Sequence, residues 1–92
     1  MTRRIDPSWV VFVSIENPEH DRCVDLFHRS GASFGFEEFR RDAEDAGRWT
    51  PVGSFAGAAY GSADLAYAAA ERVVPWLAEV LAADPSLRKR PI

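Results

Sequence analysis

The chain has 92 residues, 47% of them apolar and 27% charged, with one cysteine and a net charge of −3. That length supports one modest core, the composition is that of a globular rather than a disordered chain, and a lone cysteine excludes an internal disulfide. Between residues 7 and 83 twelve acids face six arginines, which leaves −6 on the body and disfavours contact with nucleic-acid backbones.

Residues 1–7 carry Arg3 and Arg4, end in Asp6-Pro7, and read as a tail. The run Trp9 to Ile15 is strongly β-prone, with Trp9, Val11, Val13 and Ile15 on one face and Val10 and Phe12 on the other. Apolar side chains on both faces predict a central strand, or one covered on both sides. No small-residue cleavage site follows this run, so it does not read as a signal peptide. No segment approaches the ~20 apolar residues of a membrane span. With no disulfide to rely on, a cytoplasmic, reducing location is expected.

Asn17-Pro18-Glu19-His20 is a turn signal. Residues 22–29 follow as a second strand, with Val24, Leu26 and His28 opposite Cys23, Asp25, Phe27 and Arg29. Ser30-Gly31 closes a turn, and residues 32–41 make a third strand with Phe34, Phe36 and Glu38 on one face. Phe39 falls outside that phase, which predicts a bulge near Glu37–Glu38. The alternative for Glu37–Ala46 is a helix ended by Gly47. Residues 48–52 form a fourth strand, confined to an edge by Pro51.

The glycines at 53, 57 and 61 make a loop, and Ser62 is suited to cap a helix. The helix then has Leu65, Ala68, Ala69, Val73, Trp76, Leu77, Val80 and Leu81 at helical spacing. Pro75 either kinks it or starts a second helix, and Asp84-Pro85 ends it. Strands first and helix last predict an α+β fold: an antiparallel meander of three or four strands with the C-terminal helix on one face. Residues 1–83 are expected as a single domain, and 84–92 as a mobile tail.

The residues that carry chemistry form no recognisable constellation. Cys23 and His28 fall on opposite strand faces, so they do not make a nucleophile–base pair. Glu16, Glu19, His20, Asp21, Cys23 and Asp25 match no metal-ligand spacing. The 53–62 loop has no lysine and fits no phosphate-loop pattern. Glu37 and Glu38 lie near Arg40 and Arg41, which predicts solvated ion pairs rather than catalytic carboxylates. No catalytic residue, metal or cofactor is therefore expected.

The stretch Arg-Arg-Asp-Ala-Glu-Asp-Ala-Gly-Arg-Trp at 40–49, paired with Val-Pro-Trp-Leu at 74–77, resembles a group of small bacterial proteins. That resemblance implies no activity. From the residues themselves, the expected function is that of a protein-interaction module, either for a partner or for a second copy. The alternative is a small-molecule-binding or enzymatic domain with a pocket between sheet and helix. The candidate surface comprises Arg40, Arg41, Arg48 and Trp49, since arginine and tryptophan are typical interface anchors.

Overall fold

Alternating apolar side chains dominate residues 10–41, and there the computed structural model, which describes residues 8–29, 31, 33–42, 47–53 and 55–89, is a sheet. Its strands are β1 (Val10–Glu16), β2 (Arg22–Arg29), β3 (Ser33–Arg41) and β4 (Trp49–Pro51). All pair antiparallel in chain order, so the expected meander forms with four strands and β4 at an edge. Helices α1 (Ala63–Val73) and α2 (Pro75–Ala83) cover one face, giving the α+β architecture. The alternative helix is absent from Glu37–Arg41, which belongs to β3; residues 43–46 lie outside the described part.

The helix splits at Pro75 for a local reason. A residue before proline is driven out of the helical region, and Val74 sits at φ −122°, ψ 88°. Proline then occupies the first turn of α2, where no N–H is needed. At the other end of α1, Ser62 Oγ accepts from the Leu65 N–H at 3.1 Å, as its position suggested.

The inward face of α1 differs from the expected stripe. Leu65 and Val73 are 57% and 45% exposed, whereas Ala63, Ala66, Ala69 and Ala70 are buried. Small side chains let the helix backbone approach the sheet, and Tyr67 fills the remaining space against Phe12, ring centroids 6.3 Å apart. The Tyr67 hydroxyl donates to the Lys89 carbonyl at 2.6 Å. Arg88 stacks on the same ring at 4.7 Å and pairs with Glu71 at 2.9 Å. The described part of the expected tail thus carries a 3-10 turn at Pro85–Leu87 and these contacts with α1.

Two strand expectations are corrected. β1 is an edge strand, not a central one, and Val10 is 65% exposed. The bulge also lies elsewhere: the β2–β3 register is unbroken, while the β1–β2 register slips between Val11 and Val13. The slip turns both Phe12 and Val13 toward the helices, so Ile15 joins the helix-side core while Trp9 stacks on Phe27 beyond the opposite face. The apolar pattern on both faces of β1 thus reflects a mid-strand change of face.

Phe39 needs no bulge because the second face of β2 and β3 is buried too. Cys23, Asp25, Phe27, Glu37 and Phe39 are each at most 4% exposed. Trp9 and Phe27 stack with centroids 4.8 Å apart, and the Arg29 guanidinium lies 4.4 Å over Trp9. Gly35 pairs with Phe27; a Cβ on it would sit 2.8 Å from the Phe27 ring and 2.9 Å from the Arg29 guanidinium, so this stack requires glycine. Ser14 Oγ donates to Asp25 Oδ1 at 2.6 Å, and the buried Cys23 thiol approaches the same oxygen at 3.3 Å.

Candidate functional site: a groove between the β1–β2 turn and α2

The turn joining β1 to β2 is held by side chains. Asn17, 8% exposed, accepts through Oδ1 from the Asp21 and Arg22 N–H groups at 3.1 and 3.0 Å. Its amide nitrogen donates to Asp21 Oδ1 at 2.7 Å, so one asparagine closes the loop on both sides. His20 takes φ 60°, a left-handed conformation uncommon outside glycine. Arg41 holds it there from β3: its guanidinium donates to the His20 carbonyl, and its backbone N–H donates to the Asp21 carbonyl at 2.9 Å. Behind Arg41, Trp49 stacks against the guanidinium at 4.9 Å.

The facing wall comes from α2. Glu38 is only 9% exposed, and its Oε2 accepts from Trp76 Nε1 at 2.8 Å. This bond corrects the expectation of solvated carboxylates: Glu37 is 4% exposed, on the opposite face, and accepts from the Glu38 N–H at 3.0 Å. Alternation in β3 sends the two neighbours to opposite faces, both of which are covered. With its only polar atom turned inward, Trp76 presents hydrocarbon to the space outside.

Between these walls lies an open groove of about 460 Å³, lined by Pro18 and Glu19 of the turn, by Trp76, Glu79, Val80 and Ala83 of α2, and by Asp84 and Leu87. Trp76, Val80 and Leu87 also pack on the core, so the floor is continuous with it. Three carboxylates rim this apolar floor. Asp84 Oδ1 accepts from the Ser86 N–H and hydroxyl at 3.2 and 2.5 Å. Glu19 and Glu79 are exposed and have no ion-pair partner among the described residues.

The four residues expected to form one surface are divided. Arg41 and Trp49 stack together. Arg40 lies on the other face of β3, paired across the ladder with Thr50 and 3.5 Å from Asp42. Arg48 is exposed, between Gly47 and β4. Arg41 reaches the turn that walls the groove, whereas Arg40 shares the helix-side face of β3 with Glu38. Of the acids crowded in sequence around this turn, Asp25 is buried beneath the sheet, and no group of three metal-ligating side chains assembles among the described residues. His20 lies 3.5 Å from Glu16.

The groove joins residues some sixty positions apart in the chain, and only one signal for it was readable beforehand. Trp76, Val80 and Ala83 recur at helical spacing along α2. Among the described residues no helix is long and apolar enough to cross a membrane. No family model matches this chain, and neither does any curated protein or solved structure.

Proposed function

We propose that this protein is a non-catalytic interaction module whose binding site is the groove between the 17–21 turn and α2. The observation that carries the reading is an apolar floor built on Trp76 with both walls fixed from behind, one by Glu38 and the other by Asn17 and Arg41. Such a surface needs no rearrangement to receive a ligand, which lowers the entropic cost of binding. Its open trough suits a chain lying along it more than an enclosed small molecule. Arg41 and Trp49 then support the wall instead of meeting the partner.

Selection from a random peptide display library against the immobilised protein tests this. Selected peptides should bind Ala83→Gln at least about tenfold more weakly, because the longer side chain fills an exposed position in the groove. Failure to select any peptide, or selected peptides indifferent to Ala83→Gln, overturns the reading.

A further inference from the structure

We infer that the occupant of this groove is a basic, extended peptide segment that lays a lysine or arginine side chain across Trp76. The inference rests on the binding reading above and adds the chemistry of the partner. Three features carry it. The first is charge: Glu19 approaches from the turn, and Glu79 and Asp84 from the helix side, so carboxylates border the floor on both walls. Among the described residues nothing basic lines the groove, and Glu19 and Glu79 have no ion-pair partner.

The second feature is the tryptophan. Its N–H is committed to Glu38, so the groove receives an aromatic surface without a donor. A cation on an aliphatic stem matches such a surface twice: methylenes pack on apolar side chains, and the charged head gains from the ring and from the carboxylates around it. An anionic or purely apolar ligand would leave those carboxylates facing repulsion or desolvation.

The third is dimension. Trp76 and Ala83 are seven positions apart on α2, roughly 10 Å along a helix axis. That length accommodates about three residues of extended chain, whose alternate side chains point to the floor. A basic residue next to an apolar one in alternating positions fits the sequence Trp76, Val80, Ala83 read along the groove.

The test uses the full chain and fluorescence anisotropy with capped, labelled heptapeptides. The basic probe is Gly-Lys-Ser-Val-Ser-Arg-Gly, whose lysine, valine and arginine share one face when extended; its counterparts carry glutamate or serine at the two charged positions. The basic peptide should bind, weaken at least about tenfold in Glu19→Gln/Glu79→Gln, and weaken further between about 50 and 500 mM salt. Asp42→Asn/Asp64→Asn removes the same charge from residues that do not line the groove and should leave affinity within about twofold. Thermal melts establish that each variant is folded.

If serine or glutamate peptides bind equally well and are lost on Ala83→Gln, the groove stands and the basic partner falls. If both double variants weaken binding alike, the attraction is one of net charge and the site falls. If spermine binds while no peptide does, the peptide occupant falls. If no probe binds, this inference and the binding reading fall together.

Discussion

The two faces of the sheet are both buried at β2 and β3, yet they are built from different chemistry. Toward the helices, Val24, Leu26 and Phe36 meet an alanine-rich helix face and Tyr67, and fit is set by shape. On the opposite face Cys23, Phe27 and Phe39 share the interior with Asp25 and Glu37. A one-residue slip of β2 against β3 would carry the Asp25 carboxyl group into the aliphatic core. The first face therefore supplies most of the apolar burial, and the second makes the register unique, because a displaced carboxyl group would lose its hydrogen bonds on entering a site that offers none.

The sharpest way to break the comparison is on the helix side. Phe36 is 1% exposed and stacks on Phe55 with centroids 5.2 Å apart. Phe36→Ala should destabilise by about 3–5 kcal/mol in urea unfolding, through lost burial and a residual cavity. On the other face Gly35→Ala adds a methyl where the Phe27 ring and Arg29 already lie. It should cost about 1–3 kcal/mol as an overpacking defect and reduce the near-ultraviolet circular dichroism of the Trp9–Phe27 stack. Equal losses in the two variants would show that the faces contribute alike.

A smaller effect is expected where β3 is tied to α2. Trp76→Phe keeps an aromatic ring but removes the donor to Glu38, and should destabilise by about 1–2 kcal/mol in the same unfolding assay. The ring would then be free to rotate, so peptides selected on the native groove should lose affinity beyond what stability explains. Unchanged stability in Trp76→Phe would mean that the bond orders the groove without holding the helix.

Much of the fold could be read before it was seen, because each legible feature was local. Alternation marked β2 and β3, Pro51 marked an edge, Ser62 marked a helix start, and Pro75 marked a kink or a break, of which the structure has the break. The position of β1 was not legible: apolar residues on both faces usually denote a central strand, and here they denote a bulge at an edge. The helix face was misjudged for a related reason. Large aliphatics were expected inward, whereas close approach to the sheet favours alanine and leaves Leu65 outside. The groove depends on the meeting of Pro18 and Glu19 with residues 76–87, and on two bonds, Glu38 to Trp76 and Arg41 to His20, that no short-range pattern encodes.

Arg41 gives the smallest stability change and the most informative one. It was expected to be part of an exposed contact surface with Trp49, and a surface arginine would act by touching a partner. In the structure its guanidinium is shared between the Trp49 ring and the His20 carbonyl, on the wall of the turn that carries Pro18 and Glu19. Arg41→Ala should therefore change stability by no more than ~1 kcal/mol, since a half-exposed stacking contact contributes little. It should nevertheless accelerate amide exchange at Asn17 and His20, whose N–H groups bond to Arg22 and Asn17 carbonyls within the turn, and weaken peptide binding in proportion. Arg41→Lys should fail to restore either property, because an ammonium lacks the flat surface that stacks on Trp49 while donating sideways. If peptide binding falls while exchange in the turn stays unchanged, Arg41 meets the partner directly. If exchange rises and binding does not fall, the turn is not the wall that a ligand needs.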